Sequence, residues 1–61
     1  MNDNRTIESA QYINGTDGTP VEIKTVIDGK TMYVPIDATD NRDRILIQEW
    51  EDAGNTIAEA D

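Results

Sequence analysis

Cysteine and histidine are both missing from this 61-residue chain, and so is phenylalanine. Without Cys there is no disulfide framework and no thiol nucleophile. Without His as well, there is no Cys/His zinc site and no His-based catalytic triad. Aromatic residues are scarce, at one Trp and two Tyr, and positive charge is scarcer than negative. Five Lys and Arg stand against thirteen Asp and Glu, a net charge of −8. A surface for duplex nucleic acid neutralises phosphate with Lys and Arg, so this balance argues against direct nucleic-acid binding. No apolar run reaches half of the roughly 20 residues that cross a bilayer. The opening Met1-Asn2-Asp3-Asn4-Arg5 lacks the apolar stretch of a secretory signal. These absences predict a chain made in the cytosol with no membrane partner. The length leaves room for one domain at most.

What is present falls into three parts. Residues 1–20 are polar and rich in Asn, Thr, Asp and Gly, and they read as an N-terminal arm and loop. Asn14-Gly15-Thr16-Asp17-Gly18-Thr19-Pro20 carries two turn dipeptides and a Pro. Thr6 to Ile13 could form a short strand. However, Ile7 and Ile13 share one parity and Ala10 and Tyr12 the other, so neither face is strongly apolar. The second part, 21–57, is expected to be a ββα mini-domain of the α+β class, a β-hairpin packed on one C-terminal helix. The third, 58–61, reads as a short acidic tail.

The hairpin is the clearest local signal. Val21 to Ile27 is rich in β-formers, Asp28-Gly29 suits a two-residue type I′ turn, and Lys30 to Val34 returns. A two-residue loop fixes the register, so Ile27 faces Lys30, Thr25 faces Met32, Ile23 faces Val34 and Val21 faces Ile36. One face then holds Val21, Ile23, Ile27, Met32, Val34 and Ile36 with Thr25. The other holds Glu22, Lys24, Val26, Thr31, Tyr33 and Pro35. Pro35 cannot donate a ladder bond and ends the second strand or marks an edge. The hairpin edges are left unpaired.

A helix follows. Asp37 and Asp40 are both good N-caps, each with an Asp three residues on, and Asn41 is a further cap or turn former. Leu46, Trp50 and Ala53 make one stripe, flanked by Ile47, with Ile45 off it. Gly54 suits the position after the helix in a left-handed conformation, with Asn55 next, and Ile57 could fold back on the last turn. The resulting core is small, which favours self-association or a partner. Tyr12, Val26, Tyr33, Ile45 and Trp50 are the candidate partner-interface residues. Asp28, Gly29, Pro35, Asp37, Asn41, Gly54 and Asn55 are assigned structural roles.

Chemistry finds little support. The carboxylates sit in solvated, turn or capping contexts rather than as a pair walled into a pocket. Asp37 to Asp43 places oxygens at alternate positions, loosely as in a calcium loop. The sixth position, a Gly in such loops, is Arg42, and the twelfth, a Glu, is Gln48, so helix capping explains the pattern better. No catalytic residue, metal site or cofactor is expected. Asn4-Arg5-Thr6 and Asn14-Gly15-Thr16 match the glycosylation triplet, which carries no meaning in a cytosolic chain. From Asp37 to Asp61 there are eight acids and two bases. Ordinary solubility accounts for them better than mimicry of nucleic acid, because Arg42 and Arg44 interrupt the acids and Glu49, Glu51 and Asp52 cannot share one helical face.

Tyr33-Val34-Pro35-Ile36-Asp37, Asn41-Arg42-Asp43 and Ile47 to Ile57, which includes Trp50-Glu51-Asp52-Ala53-Gly54-Asn55-Thr56, together resemble a known module. It recurs in small proteins of tailed bacteriophages encoded among tail and tail-fibre genes. Those read V-P-x-D, then N-R-x-Y, then W-x-x-x-G-N-T. The likeness covers about residues 24 to 57. Arg44 stands where an aromatic is common and Ala38 where Pro is common, which leaves the caps intact but bears on a shared aromatic contact. The resemblance implies a viral, tail-associated structural or accessory protein, not an enzyme. It would be made in the host cytoplasm, carried in the virion, and act through contact with a phage protein or a second copy. A tail or tail-fibre assembly chaperone is the alternative it also implies. Composition leaves open a third function, an acidic inhibitor of a host nucleic-acid enzyme.

Overall fold

A computed structural model describes residues 4–61 of the chain. Strands β1 (Ile7–Asn14), β2 (Pro20–Ile27) and β3 (Lys30–Pro35) form one antiparallel sheet in the order β1-β2-β3, followed by helix α1 (Arg42–Asp52). The architecture is α+β, with the expected ββα unit widened by one strand. The hairpin has the register that its two-residue turn dictates, with Ile27 opposite Lys30, Thr25 opposite Met32 and Ile23 opposite Val34. The Ile36 N–H donates to the Val21 carbonyl at 3.1 Å. Asp28 has φ 50° and Gly29 φ 81°, the two positive values of a type I′ turn. Gly29 adopts this at no cost in sterics, and Asp28 is among the residues that tolerate it.

The arm expected over 1–20 is corrected from Ile7 onward; its first three residues lie outside the described residues. Ile7 pairs with Ile27 and Ser9 with Val26, so Glu8 is an extra residue in β1, a bulge. Side-chain parity inverts across a bulge. Ile7 therefore lands on the same face as Ala10 and Tyr12, from which simple alternation separates it. Ile7 and Ala10 are buried, and Tyr12 packs against them. The bulged corner is tied to the hairpin turn. The Glu8 carboxylate accepts the Gly29 N–H at 2.6 Å. Asp28 donates its N–H to the Thr6 carbonyl at 3.0 Å and accepts the Thr6 N–H on Oδ1 at 3.0 Å.

The core comprises Ile7, Ala10, Ile23, Ile27, Val34, Leu46, Ile47 and Ile57, with Tyr12, Met32, Ile36 and Trp50 partly buried against it. Helix α1 lies across the inner face of the sheet and reaches both β1 and β3. Thr25 sits in the middle of that face, fully buried, and its hydroxyl donates to the Ser9 carbonyl at 2.8 Å. A buried hydroxyl needs such a partner. Val21, placed by parity on the inner face, is exposed; the β1–β2 register shifts there, from Ile13 opposite Glu22 to Asn14 opposite Pro20, and leaves Val21 without a β1 partner.

The helix stops at Gly54 as expected, while its start and its inward stripe differ in detail. The N-cap is Asn41, not Asp37 or Asp40. Its Oδ1 accepts the N–H of Asp43 at 2.8 Å and of Arg44 at 3.2 Å. Asp37 instead shapes the connecting turn, its carbonyl accepting the Thr39 N–H at 2.9 Å. At the other end the Gly54 N–H donates to Glu51 and the Asn55 N–H to Trp50, the paired bonds of a Schellman motif, with Gly54 at φ 107°. Asn55 Nδ2 adds a second bond to the Trp50 carbonyl at 2.9 Å. The inward stripe is Leu46, Ile47 and Trp50 rather than Leu46, Trp50 and Ala53. Ile47 is fully buried at its centre, Trp50 is half-buried at its margin, and Ala53 is exposed.

The last segment, read as a short acidic tail, is tied to the sheet. Ile57 enters the core, and Ala58 then pairs in parallel with β1 beside Gln11. Ala58 accepts the Tyr12 N–H and donates to the Ala10 carbonyl, both at 2.9 Å. Gln11 Nε2 donates to the Glu59 carbonyl and to Asp61 Oδ1, each at 3.1 Å.

Candidate functional site

The five candidate interface residues are not brought together. Tyr12 and Trp50 lie against the core on the inner face, Val26 and Tyr33 on the opposite face of the sheet, and Ile45 on the solvent side of α1. Of the five, only Tyr12 and Tyr33 come to a common hollow.

Among the described residues no helix covers the outer face of the sheet. Its cross-strand rows are Ser9–Val26–Thr31, Gln11–Lys24–Tyr33 and Ile13–Glu22–Pro35. Tyr33 is the most exposed of the large hydrophobic side chains among the described residues, at 56 %. Lys24 lies directly across from it, so the lysine stem can lie along the ring. A shallow hollow of about 340 Å³ is lined by Gln11, Tyr12, Lys24, Tyr33, Ala60 and Asp61, among others.

The edge of the sheet at β3 is the second element. In an antiparallel ladder, hydrogen-bonded and non-bonded pairs alternate. The bond from Ile36 to Val21 sets the phase: residues 30, 32 and 34 bond to β2, while the N–H groups of Thr31 and Tyr33 point the other way. The opposite edge obeys the same phase, because Ala10 and Tyr12 are the β1 residues whose outward groups meet Ala58. Thus Ala58 covers part of the β1 edge, whereas the outer edge of β3 has no strand or bridge partner among the described residues. Sequence reasoning placed Tyr33 on the open face and left both hairpin edges unpaired; β1 in fact covers the β2 edge, and on the β3 edge Thr31 and Tyr33 are the residues that turn outward, which it did not single out. The two-residue turn already carried that signal, since it forces Ile27 and Lys30 to be a bonded pair.

The third surface is a hollow of about 190 Å³ on the helix, formed by Thr39, Arg44, Ile45, Gln48 and Glu49. Ile45, 44 % exposed, supplies its apolar wall. Arg44 is held there by a bond from Nε to the Ile36 carbonyl at 2.8 Å, and its Nη1 is buried without a partner. At the helix N-terminus Arg5 pairs with Asp43, joining the start of the chain to α1.

Among the described residues no group of three or more acidic side chains could hold a metal ion. No helix among them is long and apolar enough to cross a membrane. No protein-family model, curated protein or solved structure matches the chain.

Proposed function

We propose that this chain is a small, non-enzymatic, tail-associated component of a tailed-bacteriophage particle that works by protein–protein contact. The observation that carries the reading is the division of labour among its residues. The positions that resemble the phage module are spent on scaffold: Pro35 ends β3, Asn41 caps α1, and Gly54 and Asn55 close it. What remains toward solvent is contact chemistry, namely an open strand edge, an exposed Tyr33 beside it, and Ile45 on the helix. Edge pairing and burial of exposed aromatics are common routes to protein association. The partner is a tail or other virion protein or a second copy of the chain. The net charge of −8 opposes phosphate, so nucleic acid is not the partner.

Mass spectrometry of particles purified from cultures that produce the chain tests this reading. The expected result is the chain in mature particles at a fixed ratio to a tail or capsid protein. Its presence in the lysate alone would overturn the virion assignment in favour of an assembly chaperone or a host-enzyme inhibitor.

A further inference from the structure

We propose that two copies of this chain join through their β3 edges, in antiparallel register about a two-fold axis at Met32, to form a continuous six-stranded sheet. The inference rests on the reading of the chain as a contact protein and names its first partner.

The backbone supplies the geometry. Thr31 and Tyr33 turn their N–H and C=O groups away from β2, two residues apart, with Met32 between them. That spacing is self-complementary. Thr31 of one copy opposite Tyr33 of the other exchanges two hydrogen bonds, and the two-fold axis repeats the pair. Pro35, with no N–H, limits the pairing to this window. The outer edge of β1 already carries Ala58, so the assembly closes at two chains rather than growing into a fibre.

Charge selects the occupant. In a chain of thirteen acids, Gly29 to Ile36 contains none, and Lys30 is its one charged residue. Here two chains of like charge can approach with the fewest acids opposed. The side chains fit the same axis. The two Met32 residues face each other on the inner side, where Met32 is now half-covered. On the outer side the two Tyr33 rings become diagonal neighbours, within reach of one another, which would cover an exposed aromatic.

The experiment is sedimentation velocity across a concentration series, combined with residue-resolved amide exchange on the full chain. The expected mass doubles with concentration. Exchange at Thr31 and Tyr33 slows as it does so, while Met32 and Val34 are protected throughout. Added salt strengthens the association, since it screens two chains that repel; an extended basic partner on the same edge would respond in the opposite sense. Thr31→Glu and Tyr33→Glu, both on the exposed outer face, weaken the dimer by roughly tenfold, because each acid occurs twice about the axis. A chain that stays monomeric at every concentration overturns the proposal, as does a dimer in which Thr31 and Tyr33 still exchange freely. A monomer found in particles would sink the dimer and leave the virion reading standing. A dimer missing from particles would do the reverse.

Discussion

Thr25 and Ser9 are joined by a hydrogen bond from hydroxyl to carbonyl, 2.8 Å long, across the join of β2 and β1 just past the Glu8 bulge. The threonine is fully buried among isoleucines, the one polar side chain so placed among the described residues. The bond gives β1 a side-chain tie where the bulge interrupts its ladder.

Replacing Thr25 separates that tie from packing. Thr25→Val keeps the shape and removes the donor, and is expected to cost about 1 kcal/mol, the usual net worth of such a bond. Thr25→Ala adds the loss of a buried methyl and is expected to cost more. Urea denaturation followed by far-UV circular dichroism measures both. A Thr25→Val protein as stable as the parent would show that the hydroxyl contributes nothing beyond its own satisfaction.

Asn41 is the cap on which α1 depends. Asn41→Ala is expected to destabilise by about 1 kcal/mol. Asp40→Ala, one residue earlier and without a bond to the helix, should stay within roughly 0.5 kcal/mol of the parent. Midpoints of chemical denaturation compare the two. Equal losses would show that the helix N-terminus responds to local acidity rather than to the Asn41 side chain.

Ile47, rather than the larger Trp50, is the helix residue on which the fold turns. Ile47→Ala is expected to cost about 2–5 kcal/mol, enough to unfold a chain of this size. Trp50→Phe, at a half-buried margin, is expected to leave the protein folded with a modestly lower midpoint. Circular dichroism distinguishes the two, and an unfolded Trp50→Phe with a folded Ile47→Ala would reverse the order.

The hairpin was legible because one short turn fixes its register, and register then fixes which side chains share a face. The helix was legible too, through its Gly54 stop and apolar spacing. Strand β1 was not, because a bulge leaves no mark in a periodicity count. Ile7, Ala10 and Tyr12 share a face only once Glu8 is looped out. The cap was ambiguous for a different reason. Asp37, Asp40 and Asn41 are all competent, and the tight turn after Pro35 decides among them. Trp50 drew weight by its size, while the fit of α1 across β1 and β3 centres the contact on Ile47 one position over. The candidate interface residues scattered because exposure belongs to the assembled fold: whether a residue such as Ile45 or Tyr33 is covered depends on which face the helix occupies.

The return of the chain to β1 has a kinetic consequence. Gln11 and Glu59 meet although they are 48 positions apart, whereas the β2–β3 hairpin closes over two residues. Closing the larger loop sacrifices more freedom before any contact rewards it. The hairpin is therefore the natural early structure, and the seating of Ile57 and Ala58 is the step that waits for the rest. Until that step the β1 edge stands as open as β3, so a slow-folding variant would be sticky on two sides instead of one.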